Sequence, residues 1–171
     1  DASLESLSGL KTLSEKGVLT AGSSSQICDG AAAVMIVNDA GLKKLGINPR
    51  AKIVSLALAG DDPVIMLTGP IPASKTVLDK ANLSINDIDI YEVNEAFAPV
   101  PLAWAHELKA VKEKLNVNGG AMALGHPLGG TGAKLMTTLL HELERREGKY
   151  GLQAICEGGG TANAMIIERM S

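Results

Sequence analysis

From position 31 onward the chain alternates short apolar runs with amphipathic stretches. "AAAVMIVN" (31–38) is an apolar run of strand length, and "DAGLKKLG" after it has the makings of a short helix closed by Gly46. "AKIVSLALAG" (51–60) reads as a second buried strand. "PIPASKTVLDKANL" opens with prolines suited to a helix start and spaces Val77, Leu78 and Ala81 along one face. "DIDIYEVN" (87–94) is a third strand, and the helix in "EAFAPVPLAWAHEL" should begin at Pro99 and Pro101. "KLNVNGG" (114–120) reads as a short strand or extended segment. In "GAKLMTTLLHELERREG" the residues Leu135, Met136, Leu139, Leu140 and Leu143 mark a buried stripe, while Glu142, Glu144, Arg145 and Arg146 favour solvent. The closing "GLQAICEGGGTANAMIIERM" gives two strands around a glycine turn.

The order βαβαβαββ implies an α/β fold: a mixed five-stranded sheet, mainly parallel and covered by helices, with one antiparallel strand from the closing hairpin. Residues 1–30, rich in Ser and Gly toward "TAGSSSQICDG", read as an extended lead-in, and residues 31–171 as the domain proper. Sites in such sheets form outside the carboxyl ends of the strands. Three chemically equipped stretches fall there: "NEAF" after the third strand, "GHP" before the long helix, and "CEGGG" at the hairpin.

Composition narrows the chemistry. The 171 residues suit one domain, and with 46% hydrophobic but only 2% aromatic residues its core must be built from Ala, Val, Ile, Leu and Met. A net charge of -3 from scattered acids and bases lacks the basic stripe that a nucleic acid requires. Cys28 and Cys156 form no CxxC pair, so neither a disulfide framework nor a metal site is suggested, and a reducing intracellular setting is expected. No apolar run reaches the roughly 18 residues of a membrane span, and the polar opening is unlike a signal peptide, so a soluble protein is expected.

The glycine-rich "NVNGGAMALGHPLGGTGAKL" fails the phosphate templates. A P-loop needs lysine after its second glycine, where Ala133 follows Gly132, and a dinucleotide fingerprint needs glycine where Leu135 stands. "HELER" departs from a zinc-protease helix at Arg145. What remains is a thiol, an imidazole and an amide among glycines that let backbone N–H groups approach a carbonyl, which is acyl-transfer equipment. His126 suits activation of a nucleophile or donation to an oxyanion, and Cys156 suits proton exchange. His106 and His141, on helical stretches, read as surface or packing residues.

"NEAF", "NVNGGAMALGHPLGGTGAKL" and "CEGGG", with "TAGSSSQICDGAAA" and "GPIPAS", together resemble the carboxyl-terminal half of a thiolase over nearly the whole chain. The resemblance implies CoA-dependent cleavage of a 3-ketoacyl-CoA, or the reverse Claisen condensation. It implies that Asn94 fixes a water that forms, with His126, an oxyanion hole for the thioester enolate. His126 would also activate the nucleophilic cysteine, Cys156 would be the acid and base, and the Gly158 N–H would serve a second oxyanion hole. Ser25, Ala96 and Phe97 match positions along the pantetheine path of CoA. Coenzyme A and its thioesters are substrates in this reading, and no cofactor is implied.

The nucleophilic cysteine of the family belongs to an amino-terminal half that the sequence does not include, and Cys28 matches a position without a catalytic role. The chain alone is therefore expected not to turn over substrate. That half is the expected partner, within a dimer or tetramer, in bacterial cytoplasm or an organelle matrix. A ketoacyl-synthase-like condensing enzyme and a noncatalytic acyl-CoA-binding module are the alternatives. Cys156 in "CEGGG" argues against the first, and "NEAFAPVPLAW" and "CEGGGTAN" resemble degradative thiolases more than biosynthetic ones.

Overall fold

The computed structural model describes residues 2–170. Its elements run α1 (Leu4–Ser8), α2 (Asp39–Leu45), β1 (Ala51–Gly60), α3 (Pro70–Ala81), β2 (Ile90–Val93), α4 (Pro99–Leu108), α5 (Ala121–Leu124), α6 (Thr131–Arg146), β3 (Tyr150–Cys156) and β4 (Thr161–Arg169). The two prolines that open α3 and the two that open α4 sit where a missing N–H costs nothing. The glycine turn joins β3 to β4 as an antiparallel hairpin.

The sheet order is β1-β4-β3-β2. β2 and β3 pair in parallel, while β4 pairs antiparallel with both β3 and β1. The strand directions thus follow expectation, three one way and the hairpin strand the other. Because β4 inserts between β1 and β3, however, two of the three ladders are antiparallel, and the sheet is not mainly parallel in its pairing. The ends of β1, β2 and β3 fall on one edge as a result.

The period of two along each strand sorts the core into two layers. Tyr91, Val93, Leu152, Ala154, Ala164 and Ile166 face α3 and α4, where Val77, Trp104 and Leu108 meet them. On the other face Ile90 and Ile167 pack against Leu139 and Leu143 of α6. Trp104 lies 5.3 Å from the Tyr91 ring, and its indole N–H donates to Ser74 Oγ at 2.8 Å, which satisfies the one polar atom of a fully buried side chain.

Three expectations are corrected. The sheet has four strands among the described residues, not five, because residues 31–38 form no ladder and expose Val34, Met35 and Ile36. An apolar run becomes a strand only beside a neighbour whose N–H and C=O groups it can pair, and none lies there. Residues 114–120 run from the last residue of a 3₁₀ turn (Lys112–Lys114) into a loop that touches the sheet at a single bridge, Tyr91 to Leu115. Asn116, at φ 46°, does the work of the missing strand with its side chain: Oδ1 accepts from Val93 N–H and Nδ2 donates to Val93 C=O, both at 2.9 Å. Finally, Glu142 is buried at 2% exposure, held by Arg145, Arg146 and Asn118. The lead-in also contains more order than a loop, since α1 is closed by a capping box between Ser3 and Ser6.

Candidate active site

The strand edge gathers the three motif loops. Asn94 directly follows β2, its N–H continuing the ladder to Ala154 C=O at 3.0 Å, and Cys156 ends β3 next door. Gly158 begins the turn that leads into β4. The third loop, carrying His126, is brought in by the lead-in segment. Ser25 N–H donates to Ala96 C=O at 3.0 Å, Ala98 N–H to Ser23 C=O at 2.9 Å, and His126 N–H to Gln26 C=O at 2.7 Å. Residues 23–27 therefore form a strap between the "NEAF" loop and the histidine loop.

A cleft of about 600 Å³ opens at this edge. His126, Cys156, Gly158, Ser25, Ala96 and Phe97 all line it. Asn94 sits just behind, 1% exposed, with Nδ2 3.4 Å from His126 Nε2. All seven residues singled out from the sequence thus meet in one place. Cys28 faces a different hollow, beside Pro127 and Gly129.

Close packing fixes the histidine. Gly125, at φ 84°, holds a backbone conformation that strains any other residue, and a Cβ there would stand 2.5 Å from Cys28 Sγ, so the Cys28 side chain would have to move. Thr131, buried at the first turn of α6, donates its hydroxyl proton to Pro127 C=O at 3.0 Å, so its oxygen accepts from His126 Nδ1–H at 2.6 Å. The neutral ring then carries its proton on Nδ1 and turns the Nε2 lone pair toward Asn94. Burial, and secondarily the Lys134 charge, push the His126 pKa below its ordinary value, which keeps Nε2 free as a base. Burial pushes the Cys156 thiol up, with the Glu157 charge adding to it, so the sulfur holds its proton near neutrality.

Several supports had not been singled out. Glu95 accepts from Asn116 Nδ2 at 2.9 Å and from Met122 N–H at 3.1 Å, joining the Asn94 loop to the start of α5 and so to His126. Gly120 leaves the room this carboxylate occupies. Met66, at φ 62°, and Leu67 line the cleft from the loop after β1. A threonine at a helix start five residues after a histidine was the available signal for Thr131. The reach of Met66 across the sheet edge left none.

The description "Thiolase, C-terminal domain" fits residues 47–169 of the sequence. The chain belongs to the thiolase family. It is 58% identical over 170 residues to the steroid 3-ketoacyl-CoA thiolase FadA6 of Mycobacterium tuberculosis, covering 99% of this chain and 42% of that protein. It is 47% identical over 169 residues to the acetyl-CoA acetyltransferase of Cupriavidus necator, covering 98% and 43%. The crystal structure of human mitochondrial 3-ketoacyl-CoA thiolase superposes with a TM-score of 0.96 at 47% identity over 99% of this chain and 43% of that one. A structure of the human enzyme in complex with CoA superposes at 0.92. The chain thus spans less than half the length of these relatives, and what it aligns with is the carboxyl-terminal part of a thiolase. Among the described residues no helix is long and apolar enough to cross a membrane.

Proposed function

We propose that this chain supplies the histidine, thiol and oxyanion groups of a thiolase that cleaves 3-ketoacyl-CoA to acetyl-CoA and a shortened acyl-CoA, or runs the reverse Claisen condensation. The observation that carries the reading is the fixed His126. Its Nδ1 is bound to Thr131, its Nε2 lies beside the Asn94 amide, and it shares a cleft with Cys156. The nucleophilic cysteine comes from the amino-terminal half of the complete protein, and the exposed apolar residues Val34, Met35, Ile36, Leu56 and Leu58 are surface for that half to cover.

Neutral His126 takes the proton of the nucleophilic thiol onto Nε2, and the thiolate attacks the 3-keto carbon. The C2–C3 bond then breaks, leaving an acyl-enzyme thioester and the enolate of acetyl-CoA. The enolate oxygen is met by the new Nε2–H of His126 and by the water that Asn94 holds. Cys156, still protonated, gives its proton to C2 and acetyl-CoA leaves. The Cys156 thiolate takes the proton of an incoming CoA thiol, which attacks the acyl-enzyme, with the Gly158 N–H at the developing oxyanion. The nucleophilic cysteine departs, taking its proton back from His126 Nε2, and the shortened acyl-CoA is free. Ser25, Ala96 and Phe97 hold the pantetheine arm.

The test is Cys156→Ser in the complete protein. Acylation of the nucleophile should remain visible by intact mass while CoA-dependent exchange is lost. Thiolysis at the unmodified rate would remove Cys156 from the mechanism.

A further inference from the structure

Among the described residues Glu92 is the one acid at 0% exposure, and the reaction above does not use it. Neither carboxyl oxygen has a hydrogen-bond partner among the described residues. Its neighbour across the parallel ladder is Gln153, 5% exposed, whose Oε1 is also unpartnered. Two residues on, along the same strand, stands Asn94, whose Oδ1 lacks a partner as well. The period of two places Glu92 and Asn94 on one face of the strand, under α6, so these orphaned oxygens lie in one strip directly beneath the site.

Hydrogen-bond inventory decides what this strip requires. An ionised Glu92 adds two more acceptors to a strip where Gln153 Oε1 and Asn94 Oδ1 already lack a donor, and the only N–H groups on these three side chains belong to Gln153 Nε2 and to Asn94 Nδ2, which faces His126. A protonated Glu92 supplies the donor. The charges around it are divided: Glu95 from the loop after β2 and Glu142 from α6 oppose ionisation, Lys134 from α6 favours it, and β3 offers only the uncharged Gln153. Burial is the largest influence, and together these carry the Glu92 carboxyl up to about 8.

We infer that Glu92 is a positioning residue of the thiolase site, its carboxyl O–H serving the Asn94 Oδ1, across a shared water where the span needs one, and thereby turning the Asn94 Nδ2 toward His126. An amide has two ends, and one partner on Oδ1 fixes which of them meets the reacting oxygen. This role rests on the function proposed above, because it is the orientation of Asn94 that gives it a consequence for rate.

The experiment compares Glu92→Gln and Glu92→Leu with the unmodified complete protein. In infrared spectra at neutral pH, where exposed carboxylates are ionised, the unmodified protein should show the carbonyl stretch of a protonated carboxyl. Glu92→Gln should abolish that band. Glu92→Gln keeps a donor in place and should hold kcat within about threefold, while Glu92→Leu should lower kcat at least tenfold with the KM for CoA nearly unmoved. No protonated band, a band that survives in Glu92→Gln, or a Gln variant as slow as the Leu variant would each overturn the inference. Should Glu92→Leu fail to fold, the infrared arm and the Gln variant still decide it. Absence of thiolysis in the unmodified protein would sink the functional reading instead, and the infrared band would still report on Glu92.

Discussion

Replacing Glu142 by glutamine should destabilise the chain in a manner that depends on pH. The carboxylate lies on α6 at 2% exposure and receives Arg145, Arg146 and the Asn118 amide. The Arg145 hydrogen bond leads in drawing its pKa from 4.5 down to about 2. That difference corresponds to about 3 kcal/mol in favour of the folded state at neutral pH. The arginine side chains are 64% and 41% exposed, so solvent screening reduces the recoverable part to about 1–2 kcal/mol. Because the folded pKa is depressed, the stabilisation is complete above about 4.5 and is lost as pH falls through 2, where both states bind the proton. Glutamine preserves the volume and an acceptor for Asn118 but carries no charge. Urea unfolding of the chain can be followed by the emission of Trp104, its single tryptophan, 0% exposed in the core. The gap between variant and parent should be fully open at pH 7 and shrink to less than half by pH 3. An equal gap at both pH values, or none at pH 7, would refute the charge as the source of the stability.

Two further changes test the supports of the histidine. Gly120→Ala puts a methyl where the Glu95 carboxylate sits against the start of α5, so it should cost about 1–3 kcal/mol by overpacking, read as a lower urea midpoint. Thr131→Val removes the acceptor for Nδ1–H without changing the side chain's shape. In the complete protein this should slow alkylation of the nucleophilic cysteine by iodoacetamide about tenfold, with Thr131→Ser near the parent rate, since one hydrogen bond is worth about 1–1.5 kcal/mol.

The helices were the most legible part of the sequence, for local reasons. Proline pairs announced α3 and α4, the apolar stripe of α6 is continuous from Leu135 to Leu143, and the glycine turn announced the hairpin. The run at 31–38 was misread because strand character depends on a neighbour, and periodicity cannot report whether one exists. Glu142 was misread by its charge, although it stands seven residues after Leu135 and so on the stripe that α6 buries. The site was legible because three co-directional strands bring their carboxyl ends to one edge, so motifs far apart in sequence had a place to meet. What holds those motifs in register was not. The strap at 23–27, Glu95 and Asn116 all lie inside the quoted motifs, but no period announces the bonds they make, which are visible only once the loops are packed.

The two buried carboxyls belong to one arrangement. Glu142 and Glu92 occupy the layer between α6 and β2, and they titrate in opposite directions because one has guanidinium donors and the other has none. The negative charge that the arginines hold on Glu142 is among the influences that keep Glu92 protonated. The same glutamate grips Asn118, two residues beyond the amide that caps β2 and eight before the histidine. Ionisation of Glu142 thus acts on both sides of the site: it anchors the loop leading to His126, and it favours the protonated form of Glu92, to which the orientation of Asn94 is assigned above. A charge read from the sequence as solvent-facing is, in the folded chain, a tie between the loop of His126 and the strand of Asn94, the two groups that the proposed reaction brings to one enolate oxygen.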